Sequence, residues 1–234
     1  GLGNDTLSGG GGVDVLDGSE GVDVADYSGV TAAINVDLTL GNATGEDIGT
    51  DTLINVENVI AGSGNDSITG DDSANVITAG AGDDTLEGGA GNDVIVGGAG
   101  TDTVVFAGDK GDFTFELAAN GTLTVTDTNT STALGVDTIS GVEKLSFNDG
   151  DLTVTTTAGG AVTLTGSGLD DEITLVGGVG ATLEGTGGAD TITGAGGADT
   201  ITGSDGDDTL EGGAGNDVIV GGADTDTVVF AGDK

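Results

Sequence analysis

The chain has 234 residues, of which 41 are Asp or Glu and only three are Lys or Arg, so its formal net charge at pH 7 is −38. A protein this acidic has no basic surface for phosphates, which excludes nucleic acid as a partner and disfavours anionic membranes. Five Phe, one Tyr, no Trp and no Met are too few large side chains for a conventional two-layer core, and 50 residues are Gly. The lack of Cys and His excludes disulfides and sites for zinc or copper.

A nine-residue repeat of the form Gly-Gly-x-Gly-x-Asp-x-(Leu/Ile/Val)-x organises the chain into blocks. A truncated block at residues 1–26 comes first, and a strand-rich segment follows at 27–60, where apolar and polar residues alternate over 33–40. The second block holds five turns in unbroken register at 61–106. Turn-forming residues fill positions one to six and strand-forming residues fill positions seven to nine, so each repeat predicts one turn and one short strand.

The rest of the chain repeats this organisation. Residues 107–165 contain three further strand patterns, and the third block covers 166–234, where we expect it to be cut at its C-terminal end. Residues 206–234 match residues 82–110 at 28 of 29 positions, which predicts that the chain is part of a longer array of modules. No segment has the apolar periodicity of a helix, and no apolar run is long enough to span a membrane, so an all-β solenoid is predicted.

The position-six Asp is the candidate functional residue of the repeat. Each repeat buries a single aliphatic side chain, at position eight, while every residue of the repeat loses its backbone freedom, so a turn needs a further stabilising contribution. In a solenoid whose alternate turns stack, carboxylates two repeats apart come into register, as Asp66 with Asp84 and Asp190 with Asp208. Together with backbone carbonyls of the glycine turns they form a flexible, all-oxygen cage, which Ca²⁺ prefers; Mg²⁺ favours a tighter octahedron that keeps its waters.

With this repeat the chain resembles the RTX (repeats-in-toxin) family, whose calcium-binding parallel β-roll has the same nonapeptide pattern. The resemblance covers residues 1–26, 61–106 and 166–230. It implies an all-β fold, a parallel β-roll or β-solenoid with intervening strand-rich segments and no significant helix, and several Ca²⁺ ions between stacked turns. The position-six ligands that it implies are Asp5, Asp14, Asp23, Asp66, Asn75, Asp84, Asp93, Asp102, Asp171, Asp190, Asp199, Asp208, Asp217 and Asp226. The backbone carbonyls that it implies as further ligands are those of Gly80, Gly82, Gly88, Gly89, Ala90, Gly91, Gly97, Gly98, Ala99, Gly206, Gly212, Gly213, Ala214, Gly215, Gly221, Gly222 and Ala223.

Some turns depart from this pattern, and other residues are expected to fill or close the roll. Asn75 in place of Asp removes a charge from its cage, and the shortened turn at 177–184 lacks a position-six Asp, so no site is expected there. An aromatic residue follows each block and is predicted to cover the apolar end of the roll: Tyr27, Phe106 and Phe230. The position-eight side chains that the resemblance places inside the roll are Leu7, Leu16, Ile68, Ile77, Leu86, Ile95, Val104, Ile192, Ile201, Leu210, Ile219 and Val228.

These features predict a calcium-dependent structural segment of a large secreted bacterial surface protein, of the adhesin, S-layer or matrix type. Such a segment folds when it meets calcium outside the cell, so an extracellular or cell-surface location is expected. The resemblance further implies export by type I secretion. The expected partners are calcium ions and neighbouring modules of the same protein, with self-assembly as a further expectation and no insertion into a membrane.

Two alternatives belong to other functional classes. The chain could instead be the C-terminal secretion and folding module of an RTX enzyme or toxin, such as a metalloprotease or a lipase. It is not expected to be an enzyme itself, because it has no His, Cys or Arg and no nucleophile motif. Glu57 and Glu143 are the conceivable catalytic carboxylates, but both follow Val in a repeated strand context, which favours a structural role.

Overall fold

The structure is a computed structural model that describes residues 1–131, 133–156 and 162–230. Its strands up to residue 105 are β1 (Thr6–Leu7), β2 (Val15–Asp17), β3 (Val24–Asp26), β4 (Ile34–Asp37), β5 (Asn42–Gly45), β6 (Gly49–Ile54), β7 (Asn58–Ile60), β8 (Ser67–Thr69), β9 (Val76–Ala81), β10 (Thr85–Glu87), β11 (Val94–Ala99) and β12 (Thr103–Val105). The later strands are β13 (Phe113–Leu117), β14 (Leu123–Asp127), β15 (Val136–Ser140), β16 (Lys144–Phe147), β17 (Gly150–Thr156), β18 (Val162–Thr165), β19 (Glu172–Val176), β20 (Thr182–Gly187), β21 (Thr191–Thr193), β22 (Thr200–Asp205), β23 (Thr209–Glu211), β24 (Val218–Ala223) and β25 (Thr227–Val229).

The all-β fold is confirmed. Within the described ranges, the helical structure consists of one short 3₁₀ helix at Lys110–Asp112, and none of the helical segments is long and apolar enough to cross a membrane. The chain divides into two compact units. The first unit contains Gly1–Val105 and Ala133–Val142, and the second contains Phe106–Thr132 and Glu143–Lys234.

The first unit is a parallel roll made of two sheets. One sheet has the order β1-β3-β7-β9-β11-β15, and the other has the order β2-β6-β5-β4-β8-β10-β12. Consecutive repeats alternate between the two sheets, so that each repeat strand pairs in parallel with the strand two repeats away, as Ile77 with Ile95 and Leu86 with Ile68. The β4–β5–β6 segment is the antiparallel exception and lies within the sequence between the first two repeat blocks.

The second unit repeats this architecture. Its sheets have the orders β14-β13-β19-β21-β23-β25 and β16-β17-β18-β20-β22-β24. The pairs β13–β14, β16–β17 and β17–β18 are antiparallel, whereas the repeat strands pair in parallel. The register is again two repeats, as Ile192 with Leu210. The separation in sequence is slightly larger for the paired residues Ile173 and Ile192, which lie on either side of the shortened turn.

Position-eight side chains fill the interior of each unit, because position eight is the inward-facing residue of every short strand. Those that are buried as predicted are Leu16, Ile68, Ile77, Leu86, Ile95, Val104, Ile192, Ile201 and Leu210. The prediction is wrong for Leu7 and Ile219, which are half-buried, and for Val228, which is 37% exposed. These three lie on β1, β24 and β25, which are outermost strands of their sheets and have a neighbouring strand on one side only. Leu16 lies on the remaining outermost strand, β2, and is nevertheless buried.

The aromatic residues after the blocks behave differently from one another. Tyr27 and Phe106 are buried, as predicted for residues that cover the apolar end of the roll. Phe106 packs against Phe113 and Phe147, with ring centroids 5.2 and 5.3 Å away. The same prediction is wrong for Phe230, which is 83% exposed and follows β25, the outermost strand of its sheet.

Candidate metal centre

The position-six aspartates form ladders along each unit. One carboxylate oxygen, Oδ1, accepts the backbone N–H of the position-six residue two turns earlier. The distance from nitrogen to Oδ1 is 2.7 Å for Asp66 to Asp84 and 2.9 Å for Asp190 to Asp208. The two-repeat register expected from a stack of alternate turns is therefore observed directly at these side chains, and one oxygen of each carboxylate is fixed by the backbone of the neighbouring turn.

The other carboxylate oxygen, Oδ2, is buried and lacks a hydrogen-bond partner at many of these positions. Leaving such a strong acceptor without a donor in the interior destabilises the fold. Within the described residues the aspartates with such an oxygen include Asp14, Asp23, Asp84, Asp93, Asp190, Asp199 and Asp208. Oδ2 is therefore the atom of the repeat that is available to a bound cation.

Burial raises the pKa values of these carboxyl groups in the metal-free chain. Removal from water is the largest cause for Asp66, Asp84, Asp93 and Asp199, all of which have a pKa above the ordinary value for Asp. For Asp190, burial together with the charges of neighbouring aspartates raises the pKa to about 6. A divalent cation beside Oδ2 removes this penalty, because an opposite charge favours the ionised form.

The first glycine of each repeat leaves room for this oxygen and for a carbonyl from the stacked turn. A Cβ on Gly203 would overlap Oδ2 of Asp208 and would lie 2.7 Å from the carbonyl oxygen of Gly221. At Gly194 a Cβ would lie 2.7 Å from Oδ2 of Asp199 and 2.6 Å from the carbonyl oxygen of Gly212. A carboxylate oxygen and a carbonyl oxygen thus converge beside one glycine, at the same place in successive turns.

These donors fit Ca²⁺. All are oxygens, they combine carboxylates with backbone carbonyls, and the carboxylates are buried without a cation beside them. The side chains of residues 1–131, 133–155 and 162–230 form no group of three or more His, Cys, Asp or Glu that could hold a metal by themselves. Backbone carbonyls, such as those of Gly212 and Gly221, are the further oxygens that the turns bring close to these carboxylates.

The predicted position-six residues are not equivalent. Asp5, Asp14, Asp217 and Asp226 are half-buried, since they lie on the outer turns of their units. The other predicted position-six residues are buried. Thus the metal-binding arrangement is most complete in the inner turns.

Two buried position-six residues differ chemically from the rest. Asn75 keeps an oxygen beside Gly70, but that oxygen is neutral and accepts the backbone N–H of Asp71 at 2.8 Å. Its amide group donates to the carbonyl oxygen of Glu57 at 2.6 Å. Asp171 has partners on both carboxylate oxygens, among them the ammonium group of Lys110. In the shortened turn the place of the position-six Asp is taken by Ala181, whose N–H still donates to Asp199.

The predicted backbone ligands fall into two groups. The carbonyls of Gly88, Gly212 and Gly221 lie beside the first glycine of the stacked turn, next to the side-chain oxygen. The carbonyl of Ala99 instead accepts the N–H of Gly82 at 2.8 Å. Strand pairing between β9 and β11 continues through the start of the next turn and uses this oxygen. Coordination of calcium by any of the predicted carbonyls stays a prediction.

Sequence reasoning missed two members of the ladders, Asp51 and Asp137. Asp14 donates its N–H to Oδ1 of Asp51 at 3.0 Å, and Asp93 donates to Oδ1 of Asp137 at 2.9 Å. The signal was present: residues 49–53 and 135–139 both read Gly-x-Asp-Thr-(Leu/Ile), which is positions four to eight of the repeat. Two half-repeats therefore lie inside segments that were interpreted only as strand-rich flanks.

The half-repeats also reproduce the backbone of the complete turns. Gly49 and Gly135 have φ values of 75° and 93°, in the left-handed region where a side chain would be strained. Position-four glycines of complete turns, such as Gly82 and Gly91, also have a positive φ. Asp51 differs from the complete repeats in one respect, because the hydroxyl of Tyr27 donates to its Oδ2 at 3.1 Å. Burial and the Asp51 charge raise the pKa of Tyr27, so this hydroxyl stays protonated.

The two glutamates considered for catalysis form hydrogen bonds within their units, Glu57 through its carboxylate and Glu143 through its backbone carbonyl. Oε2 of Glu57 accepts the backbone N–H of Asp23 at 2.7 Å and so continues the ladder of the first unit. The carbonyl of Glu143 accepts the N–H of Val154 at 2.8 Å. Glu57 lies in the first unit and Glu143 in the second.

A comparison with known protein families agrees with this geometry. The family model for the RTX calcium-binding nonapeptide repeat matches residues 1–25, 55–86, 69–104, 176–210 and 202–233, which together make up more than half of the chain. No curated protein sequence matches. Among solved structures, the chain is similar to the extracellular lipase LipA from Serratia marcescens, with 21% sequence identity and a TM-score of 0.23. The match covers 70% of this chain and 32% of the lipase, so the chain spans about a third of the lipase's length.

Proposed function

The chain belongs to the RTX calcium-binding nonapeptide repeat family, and from this premise we propose that it is a structural segment of a large secreted bacterial surface protein. It is a calcium-dependent β-roll, and its role outside the cell is mechanical. An adhesin, S-layer or matrix protein would use it as an acidic spacer or lattice element. Calcium supplies the positive charge that the ladders lack, and the chain supplies the ordered oxygens.

The row of buried, unpartnered Oδ2 atoms is the observation that carries this proposal. Asp190 and Asp208 expose 1% of their surface, yet one oxygen of each has no donor. In the metal-free roll these unpartnered oxygens therefore lower the stability of successive turns, and bound calcium removes this destabilisation. A chain with this property remains unfolded where calcium is scarce and folds where calcium is abundant, which suits export in the unfolded state.

The charge and the duplication support a role as a repeated structural element. Self-repulsion of a chain with net charge −38 opposes compaction until cations bind. Residues 82–110 and 206–234 are identical at 28 of 29 positions. Near-identical modules favour an array over a single folding module attached to an enzyme. In the same proposal the segment has no catalytic activity of its own.

Size-exclusion chromatography with light scattering tests the proposal. We expect a monomer with a large hydrodynamic radius in chelator and a clearly smaller radius in millimolar calcium, with magnesium unable to replace calcium. Identical elution in chelator and in calcium would contradict a calcium-dependent fold. Ordered assembly in calcium would assign the segment to a lattice, whereas a compact monomer would assign it to a spacer.

The neighbouring gene sequence separates this proposal from the secretion module of an RTX enzyme or toxin. Further copies of the duplicated module are expected beside the region that encodes this chain. A catalytic domain followed directly by this segment would contradict the proposal for a surface protein. It would leave the calcium-dependent roll itself intact.

A further inference from the structure

Lys110 is a buried cation in an otherwise acidic protein. Its side chain has no exposed surface, which is rare for Lys unless the ammonium is paired. The ammonium Nζ lies 3.0 Å from Oδ1 of Asp171 and 3.2 Å from Oδ1 of Asp149. It also donates to the carbonyl oxygen of Asp149 at 2.9 Å. Three oxygens of the second unit thus surround a single positive charge.

The backbone around Lys110 holds the ammonium in this position. Lys110 starts the 3₁₀ helix, and its own N–H donates to Oδ1 of Asp149 at 2.9 Å. Gly150 leaves the room that the side chain needs, because a Cβ there would lie 2.9 Å from Nζ. The same oxygen of Asp149 therefore binds both the backbone and the side chain of Lys110.

Asp171 belongs to the ladder but has a different environment from its neighbours. It occupies position six of the turn at 166–174, and its N–H donates to Oδ1 of Asp190 at 2.9 Å, as the repeat requires. Its Oδ1 contacts the ammonium of Lys110, at the place where other aspartates accept an N–H from an earlier turn. Its Oδ2 accepts the N–H of Ser167 at 2.6 Å. Asp190 and Asp208, in the same unit, each keep a buried Oδ2 without a donor.

We propose that Lys110 is a built-in counter-ion for Asp171: through Oδ1, it supplies the positive charge that calcium supplies at Oδ2 of the other position-six aspartates. The first turn of the roll in the second unit is then ordered without metal, and Asp171 contributes no calcium ligand. Both of its oxygens have donors. Its Oδ2 lies beside Gly166 together with the carbonyl oxygen of Gly185, as in the complete turns, but a calcium ion there would be repelled by the ammonium, which lies 3.0 Å from Oδ1. This inference rests on the proposed function, in which the remaining position-six carboxylates bind calcium.

A metal-independent first turn gives the remaining turns a place to start. In a solenoid each repeat is stabilised by its neighbours, so order propagates from any turn that is already formed. In the turn at 166–174, the N–H of Asp171 donates to the carboxylate of Asp190, and the N–H of Asp190 donates in the same way to Asp208. Calcium binding then orders the following turns against a first turn that Lys110 already holds in place.

Counting bound calcium by native mass spectrometry tests the assignment on the full chain. The matched variants are Asp171→Asn and Asp208→Asn, since both residues are buried position-six aspartates of the second unit. We expect Asp208→Asn to bind fewer calcium ions than the unaltered chain and Asp171→Asn to bind the same number. A lower count in Asp171→Asn would overturn the inference. No calcium on any of the three proteins would instead overturn the proposed function.

Hydrogen exchange in chelator tests the metal-independent turn itself. Lys110→Met removes the buried ammonium, and Lys144→Met is the control, because Lys144 is 41% exposed and pairs with Asp151 at the surface. We expect the amides of residues 166–176 to exchange about tenfold faster or more in Lys110→Met than in the unaltered chain or in Lys144→Met. Equal exchange in all three proteins would overturn the inference.

Discussion

At the scale of the residue, the two oxygens of a position-six aspartate have different roles. Oδ1 holds the turn in register with its neighbour, and Oδ2 provides a negative charge beside the first glycine. Asn75 shows what the amide changes: it still bonds to the adjacent turn, but the oxygen that it offers is neutral and already accepts an N–H. Asp is therefore required to provide the negative charge for the cation, whereas a polar side chain of the same length, such as Asn, is enough to hold stacked turns in register.

The raised pKa of Asp190 predicts opposite effects of pH with and without calcium. In the metal-free fold its pKa is about 6, above its ordinary value of 3.8, so between these values the folded chain binds more protons than the unfolded chain. Without calcium, stability therefore falls as pH rises from about 4 to about 6. With calcium, protons compete for the same oxygen, so calcium affinity falls as pH drops below about 6. Calorimetric titration at pH 7.5, 6.5 and 5.5 measures this affinity, and equal affinities at the three values would contradict the role of Asp190.

Residues that repeat in sequence could be recognised as site residues, whereas residues defined by distant contacts could not. The nine-residue frame identifies Asp84 and Asp208 without any structure, because the same residue type recurs at the same position. Asp137 was not recognised as a site residue because only half of its repeat is present in the sequence. Lys110 has no motif at all, and its role follows solely from its contact with Asp171, which is remote in sequence.

At the scale of the element, the repeat determines the strands but not their lengths or surroundings. β10 and β23 each contain the last three residues of a repeat, whereas β11 and β24 continue into the next turn and contain six. Both lengths arise from the same nonapeptide pattern. The sequence therefore predicted one strand in each repeat and its inward-facing residue, and the structure added the extended pairing through alternate turns.

The duplicated sequence shows how strongly neighbours determine burial. Ile95 is fully buried because β11 lies between β9 and β15, but the equivalent Ile219 on β24 is half-buried beside β22 alone. Phe106 is 5% exposed and the equivalent Phe230 is 83% exposed. Identical local sequence thus gives different burial, which is why the sequence predicted the interior correctly for inner turns and wrongly for Leu7, Ile219 and Val228 on outermost strands.

The first glycine of a turn is predicted to be required for the metal-bound fold. Gly203→Ala would place a Cβ against Oδ2 of Asp208, so we expect a loss of about 1–3 kcal/mol in stability and weaker calcium binding. Gly168→Ala is the matched control, because no atom lies within 4 Å of a Cβ built there and the residue is exposed. Thermal unfolding in saturating calcium measures both variants. Equal midpoints for the two would contradict the close approach at Gly203.

At the scale of the whole molecule, the balance of charge decides whether the chain folds. Lys110 offsets charge in the interior of the second unit, and Lys144 pairs with Asp151 at the surface. Lys234 lies outside the described residues. Three lysines cannot offset 41 acidic residues, many of which lie in register along the ladders. Bound cations therefore form part of the folded state of both units.

A calcium titration of the full chain, followed by far-ultraviolet circular dichroism, tests this central claim most directly. In chelator we predict a spectrum that is disordered apart from the small contribution of the turn at 166–174. As calcium rises to millimolar concentration we predict a cooperative change to a β spectrum, reversed by chelator. Magnesium at the same concentration should leave the spectrum disordered. A β spectrum already complete in chelator and unchanged by calcium would contradict the account, because the ladders would then be stable without the metal.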